Sequence, residues 1–213
     1  MESILAWYAL PYDPAFPVVC FDERPCFLIG DLVELIALQT GRLRKAHYAY
    51  EKLGSCALPA AIEPLTCQRI AQVYDQRTKK EFTLFCQAVA AAFPDATRIR
   101  LILDNLNTHD ASSFYEHLPA DQAFALAQRF DFVFTPKSAS WLNMIEIEFS
   151  ALARLCLHRR IPTIDHLRSE VLALVNERHL NRIKINWQFS IQSARSKLNS
   201  HYARVNPINS NPR

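Results

Sequence analysis

Three acidic residues lie where a carboxylate could take part in chemistry. Asp22 follows the apolar run 18–21, and Asp104 follows the apolar run 101–103. A carboxylate directly after a buried strand is commonly presented at the carboxyl edge of a sheet, where ligand sites collect. An aspartate at a strand end can equally open a turn, because its side chain bonds to nearby backbone N–H groups. Both interpretations stand for each aspartate taken alone.

The third acid, Glu146, is singled out by helical periodicity. Glu146 falls on the apolar side of a predicted helix, whereas Glu148 is expected to point away from it into solvent. An inward carboxylate is costly unless it is paired or bound to a metal. Glu146 is therefore expected to share a site with the two aspartates. The stripe that defines the apolar side is Leu142, Ile145, Phe149, Leu152 and Cys156.

A site made of Asp22, Asp104 and Glu146 would offer only carboxylate oxygens. Such hard ligands suit Mg²⁺ or Mn²⁺ better than zinc. Sites of this kind hold two ions about 4 Å apart, and the ions act on a phosphodiester. We therefore expect these three residues to be both the catalytic residues and the ligands of two Mg²⁺ (or Mn²⁺) ions. The six cysteines show no CxxC pair, so neither a zinc site nor a disulfide framework is expected.

The elements that must position these residues are strands followed by helices. Apolar and β-branched runs predict strands at 16–23, 25–30, 69–75, 98–104 and 131–136, with another after the basic, aromatic stretch 41–54. Three- and four-residue apolar spacing predicts helices at 81–94, 111–128, 141–157, 163–177 and 191–199. This order indicates a mixed α/β sheet flanked by helices, with a helical C-terminal extension. We expect a leader at 1–15, a catalytic domain at 16–160, the extension at 161–205 and a disordered tail at 206–213.

Composition and charge limit the classes of function. The chain has 213 residues, of which 50% are hydrophobic and 21% charged, as in ordinary globular proteins. No apolar run is long enough to cross a membrane, and the N-terminus lacks a basic signal region, so a cytoplasmic protein without a membrane partner is expected. Positions 151–213 contain 11 Lys or Arg and only 3 Asp or Glu. That excess could bind DNA phosphates or could simply form a solvated basic surface.

Two motifs resemble a known family. LILDNLNTHDASSFYEHLP (101–119) and FTPKSASWLNMIEIEFSALAR (134–154) resemble mariner-type bacterial insertion-sequence transposases, whose catalytic part is a DDE endonuclease. PYDPAFPVVCFDERP (11–25) is similar to the segment around that family's first aspartate. The resemblance extends over nearly the whole chain, and the ordered pair DNxxxH and PxxxSWLNxIE is its specific part.

The resemblance implies a ribonuclease-H-like fold and the same three residues, Asp22, Asp104 and Glu146. The second gap is longer than in the best-known mariner relatives, and we expect an insertion around 116–128. The implied activity is metal-dependent cleavage at transposon ends followed by strand transfer into target DNA, by a homodimer or larger assembly in the bacterial cytoplasm. Too few residues precede Asp22 for the family's helix-turn-helix domain. A catalytic half is therefore expected, with a possible partner polypeptide that carries that domain.

Several neighbouring residues have expected supporting roles. Glu23, Asn105 and His109 follow the aspartates and could orient a ligand, a water or a DNA phosphate. For His109, a structural hydrogen bond or a helix cap is the competing interpretation.

The residues around the predicted catalytic helix form a second supporting group. Lys137 and Ser138 precede that helix and could contact phosphate. Trp141 could stack on a base or pack in the core, and Asn143 could brace the helix near Glu146. The pair Arg159 and Arg160 opens the basic region and could contact the DNA backbone.

Two other functions remain open at this point. The chain could be a host nuclease or resolvase of the same fold, which would recognise DNA structure instead of terminal repeats. It could also be a catalytically silent DNA-binding remnant. The intact set of three acids argues against the remnant, because a protein without catalytic constraint is free to lose a carboxylate.

Overall fold

A computed structural model of the chain describes residues 1–32, 49–106 and 109–205. Five strands form one mixed sheet in the order β3-β2-β1-β4-β5. Strands β1, β2 and β3 pair in antiparallel fashion, whereas β4 runs parallel to both β1 and β5. The strands are β1 (Val18–Asp31), β2 (Tyr50–Glu63), β3 (Gln68–Ala71), β4 (Ile99–Leu103) and β5 (Phe130–Phe134).

Helices cover both faces of this sheet, as the sequence predicted. The predicted helices at 81–94, 111–128, 163–177 and 191–199 are all present within a few residues. No helix in the described part of the chain is both long and apolar enough to cross a membrane. The helices are α1 (Glu2–Tyr8), α2 (Lys79–Ala92), α3 (Ser112–His117), α4 (Ala120–Gln128), α5 (Ile145–Leu155), α6 (Ile164–Leu180), α7 (Ile191–Lys197) and α8 (Asn199–Val205).

Alternation along the central strands divides the core into two layers. Val19 and Leu101 pack with α2, α3 and α4, and we call this side the α2–α4 face. Cys20 and Ile102, each the next residue, pack with α5 and α6 on the α5–α6 face. Successive side chains of a strand point to opposite faces, so every second residue of β1 and β4 looks toward α5.

Two predictions about the first strand and the catalytic helix need correction. The runs 16–23 and 25–30 are not two strands, because β1 continues through Pro25 and pairs along its length with β2. Pro25 is tolerated because β4 pairs with β1 only at 18–20, so this part of β1 is flanked by β2 alone. The predicted helix 141–157 begins later, at Ile145, after a 3-10 turn over Ser140–Leu142.

The ends of the chain pack onto the same body. Ile4 and Leu5 of α1 are buried, although the sequence suggested only a leader there. Leu167 and Val171 of α6 belong to the same buried layer as Ile102, within the region predicted as an extension. The proposed division into segments at 15, 160 and 205 stays a prediction, and the predicted tail 206–213 lies outside the described residues.

Candidate active site

The two aspartates lie just beyond the stretch in which the central strands β1 and β4 pair. Strands β1 and β4 pair in parallel register, with Cys20 opposite Ile102. Continuing that register by two residues brings Asp22 opposite Asp104, and neighbouring strands are only about 4.8 Å apart. Asp22 has the parity of Cys20, whose side chain lies on the α5–α6 face. Asp104 directly follows β4, and its carboxylate contacts His109, which packs on Phe82 of the α2–α4 face. The topology of the sheet thus brings Asp22 and Asp104 close together, although the two residues are far apart in the sequence.

Glu146 lies on α5, and the segment that leads into α5 is fastened to β1. The buried side chain of Asn143 donates from Nδ2 to the carbonyl of Phe21 at 2.7 Å, one residue before Asp22. The Tyr8 hydroxyl donates to the carbonyl of Leu142 at 2.8 Å and so fastens the same segment from the other side. Glu146 is half-buried in the first turn of α5, three residues after Asn143. The expected role of Asn143 as a brace has a direct geometric basis in these contacts.

The three carboxylates act on one another electrostatically. Burial, together with the negative charges of Asp104 and Glu146, raises the pKa of Asp22 to about 6. A hydrogen bond from the Glu23 backbone and the charge of His109 lower it in part. A cation bound beside Asp22 would favour its ionised form and so offset the effect of burial.

The side chains are not arranged as a closed set of metal ligands. Over the residues that the structure describes, no group of three or more His, Cys, Asp or Glu side chains could hold a metal ion as placed. Asp22 accepts a hydrogen bond at Oδ1 from the Glu23 backbone at 2.7 Å, and Asp104 is occupied by His109. The donor chemistry nevertheless fits Mg²⁺ or Mn²⁺, because both ions prefer carboxylate oxygen.

His109 joins the second aspartate to the residue that follows the first. The imidazole is fully buried, with Nδ1 2.7 Å from Asp104 Oδ1 and Nε2 3.6 Å from Glu23 Oε2. It stacks on Phe82 with ring centroids 5.0 Å apart. Burial alone lowers the pKa of His109, but the hydrogen bonds and charges of Asp104 and Glu23 outweigh burial and raise it. His109 can therefore hold Asp104 in one orientation.

Glu23 is turned away from the three acids. It is 8% exposed, and Arg77 Nε donates to its Oε2 at 2.8 Å. Glu23 thus belongs to a chain of charged contacts that runs from Arg77 through His109 to Asp104. No spacing in the sequence signals Arg77 as a member of this chain, because it lies in an irregular segment between β3 and α2.

Comparison with known proteins assigns the family. A family model described as DDE superfamily endonuclease matches residues 17–168, which include all three acids. The chain belongs to the DDE superfamily of endonucleases. Among curated proteins, none matches the sequence.

Solved structures of Mos1 transposase share the fold. The Mos1 paired-end complex with the left transposon end aligns with a TM-score of 0.56 at 10% identity, over 82% of this chain and 52% of that chain. The Mos1 strand transfer complex aligns with a TM-score of 0.55 at 11% identity, over 82% and 51% of the two chains. The chain therefore has the ribonuclease-H-like fold of DDE transposases and spans about half the length of these structures.

The remaining predicted residues of this DDE-family chain fall into two places. Asn105, Lys137 and Ser138 are exposed near the end of β4, where the Thr135 backbone N–H donates to the Leu103 carbonyl at 2.8 Å. Trp141 follows this loop and is 46% exposed, so it is not a core residue. These four residues lie at the carboxyl edge of β4 and β5, on the same side as Asp104.

Arg159 and Arg160 are not brought to the three acids. Arg159 pairs with Glu170 on α6, and Arg160 pairs with Asp31 at the far end of β1. Asp31 lies nine residues beyond Asp22 on one strand, which corresponds to about 30 Å. Any DNA contact made by these two arginines would therefore be remote from the candidate active site.

Glu148 is the clearest error of the sequence analysis. It was expected in solvent, but it is 2% exposed and lies between Arg69 and Arg178. Arg69 Nε and Arg178 Nε donate to Glu148 Oε1 at 3.0 and 2.6 Å, and each arginine also donates to Oε2. Glu148 lies three residues after Ile145 and four before Leu152, so it borders the apolar stripe from its other side. Because α6 packs against this side of α5 as well, more of the surface of α5 is buried than the apolar stripe alone indicates.

Proposed function

We propose that this chain is the catalytic domain of a DNA transposase. It would cleave phosphodiester bonds at transposon ends and transfer the freed 3′ ends to target DNA. The observation that carries the proposal is that Asp22 lies on β1 and Asp104 directly follows the neighbouring parallel strand β4, while the segment that leads into the helix of Glu146 is anchored to the carbonyl of Phe21. Membership of the DDE superfamily supports the same reading of these residues.

In this proposal Asp22, Asp104 and Glu146 hold two Mg²⁺ or Mn²⁺ ions. When bound, such ions activate an attacking water or 3′-hydroxyl and stabilise the leaving oxygen of a phosphodiester. The protein's own contribution is to hold its ligands in place. His109 contacts the Asp104 carboxylate and Asn143 anchors the segment before α5 to β1, one residue from Asp22. In this proposal the first contact orients Asp104 and the second directs Glu146 toward the aspartates. Neighbours of this kind typically change metal affinity or activity by about 10- to 100-fold when they are replaced.

DNA is the proposed substrate, as both transposon ends and target. The similar Mos1 structures are a paired-end complex with a transposon end and a strand transfer complex, and that supports the assignment. We infer that a helix-turn-helix domain, in the same polypeptide or in a partner, reads the terminal repeats, and that a homodimer or larger assembly pairs the two ends. A bacterial insertion sequence and the bacterial cytoplasm are the proposed source and location.

The test is nicking of supercoiled plasmid in the presence of Mg²⁺ or Mn²⁺. We expect the wild-type chain to nick, and D104N and E146Q to lose activity while keeping the wild-type circular dichroism spectrum. The matched controls D121N and E177Q change carboxylates exposed on α4 and α6 and should nick as the wild type does. If D104N and E146Q cut as well as the controls, the assignment of the active site is wrong.

The same proteins separate the proposal from its two alternatives. A silent remnant would fail to nick even after an end-binding domain is fused to it, and calorimetry would show no carboxylate-dependent binding of Mn²⁺. A host nuclease or resolvase would prefer branched DNA to a duplex that ends in terminal repeats. A transposase should release a 3′-hydroxyl at the repeat end and join it to a second DNA molecule.

A further inference from the structure

An exposed aromatic and basic surface adjoins the candidate active site. Trp141 meets Phe189 at a ring-centroid distance of 5.2 Å and an interplanar angle of 81°. Lys197 of α7 places its ammonium group 5.5 Å from the centre of the Phe189 ring. Phe189 thus supports the indole from one side, and 46% of Trp141 is open to solvent. We call these three residues the Trp141 surface.

The chain around the Trp141 surface is positively charged. After Glu177 the sequence contains seven Lys or Arg residues and no Asp or Glu. Glu2 of α1 is engaged by Arg195 of α7 and by the Tyr202 hydroxyl. A large exposed aromatic ring close to a lysine is suited to nucleic acid, because bases stack on rings and phosphates attract cations.

The Trp141 surface lies a short distance from Asp22. Asn143 contacts the Phe21 carbonyl beside Asp22, and Trp141 is two residues from Asn143. Two residues span at most about 7 Å, so the indole begins within about 15 Å of Asp22. At about 3.4 Å for each stacked nucleotide, that distance corresponds to no more than about four nucleotides.

We propose that the Trp141 surface binds an unpaired nucleotide of the DNA strand next to the bond that is cut, by stacking its base on the indole. The proposal rests on the proposed function, because that function brings DNA to the site. It adds a substrate feature, namely strand separation beside the cleaved bond. Fully paired DNA keeps its bases stacked inside the helix, so none of its bases can stack on the indole.

Binding of two fluorescein-labelled probes without divalent metal tests the proposal. One probe is a blunt duplex of about 20 base pairs, and the other is the same duplex with an unpaired extension of about four nucleotides. We expect the wild-type chain to bind the extended probe more tightly. W141A should lose about 5- to 150-fold in affinity for that probe, since stacking contributes about 1–3 kcal/mol per base. Its affinity for the blunt duplex should change less than about twofold.

Matched variants separate stacking from general effects. W141F keeps a flat ring and should restore most of the preference for the extended probe. F124A removes an aromatic side chain that is 57% exposed on α4 and should bind both probes as the wild type does. K197M should weaken both probes and lower the salt dependence of binding, because it removes a phosphate contact.

Three results would overturn the proposal. They are equal binding of both probes by the wild type, equal losses for both probes in W141A, and dissociation of a dimer by W141A in sedimentation analysis, which would make the surface a protein interface. Because the assay needs no metal and no cleavage, its outcome is independent of the nicking test. If the chain nicks plasmid but binds both probes equally, the proposed function stands and only the role of the Trp141 surface is wrong. If the chain prefers the extended probe but does not nick, it has a surface that binds unpaired DNA and the proposed function is wrong.

Discussion

Replacing Glu148 with glutamine removes one charge from a buried ionic cluster and leaves its shape nearly unchanged. The side chains of Arg69, Glu148 and Arg178 are 1%, 3% and 16% exposed. Arg69 also donates to the backbone carbonyls of Cys67 and Arg178, so it cannot move readily into water. E148Q would therefore leave two guanidinium groups facing each other without a counter-charge, one of them fully buried.

The expected loss of stability is large. Removing one partner of a buried ion pair destabilises a protein by about 3–5 kcal/mol, because the charge left behind stays desolvated. For a chain of this size, each kcal/mol corresponds to about 2–4 °C in Tm. E148Q should accordingly lower Tm by about 6–20 °C. The control E170Q acts on the exposed pair with Arg159 and should change the free energy of unfolding by less than about 1 kcal/mol.

Urea unfolding of wild type, E148Q and E170Q across a range of pH measures this effect. Burial raises the pKa of Glu148, but the hydrogen bonds and charges of Arg178 and Arg69 outweigh it and hold the pKa below its ordinary value of 4.5. A carboxylate with a lowered folded-state pKa stabilises the protein above its unfolded-state pKa and loses that contribution as the pH falls through the folded-state pKa. The difference between wild type and E148Q should therefore be full at pH 7 and shrink below pH 4.5.

A small loss of stability in E148Q would refute this reasoning. If E148Q unfolds within about 1 kcal/mol of the wild type at pH 7, Glu148 behaves as an exposed ion pair does. A difference that does not change with pH would show that lost packing, and not lost charge, causes the destabilisation.

Two further predictions concern the candidate active site. D22N should stabilise the metal-free protein at pH 7 by about 1–3 kcal/mol. The raised pKa of Asp22 means that the folded state loses stability as the pH rises from 3.8 to about 6, and D22N avoids that loss. The gain should vanish at pH 3.5 in thermal unfolding with EDTA, and a destabilised D22N would contradict the prediction. N143A should lower the free energy of unfolding by about 1–3 kcal/mol, because the buried Phe21 carbonyl loses its donor. Calorimetry should also show about 10- to 100-fold weaker Mn²⁺ binding by N143A, and unchanged affinity would mean that Asn143 does not position Glu146.

Much of the fold was predictable because local patterns carry it. The helix α2 was predicted from the spacing of Phe82, Phe85 and Val89, and all three are buried. The start of α6 was predicted from Thr163, whose hydroxyl accepts a hydrogen bond from the His166 backbone at 3.2 Å. The apolar stripe of α5 is buried as predicted. These features depend on residues a few positions apart, which the backbone geometry brings together by itself.

Errors arose where a distant element decided the outcome. The break at Pro25 looked like the end of a strand, but pairing with β2 carries β1 through it. Glu148 looked solvated because periodicity describes one helix alone, whereas Arg69 and Arg178 come from β3 and α6. Nothing near Glu148 in the sequence indicates these partners.

The sequence by itself determined which residues are candidates for chemistry: three acids after apolar runs or on an inward helix face, within motifs of one family. Only the tertiary structure decided that the strand of Asp22 neighbours the strand that precedes Asp104, that Asn143 anchors the segment before the helix of Glu146, and that His109 joins Asp104 to Glu23. The physical reason is the distance along the sequence over which each kind of interaction acts. Periodicity and capping act over a few residues, whereas strand register and buried charge pairing act between segments that meet only in the folded chain.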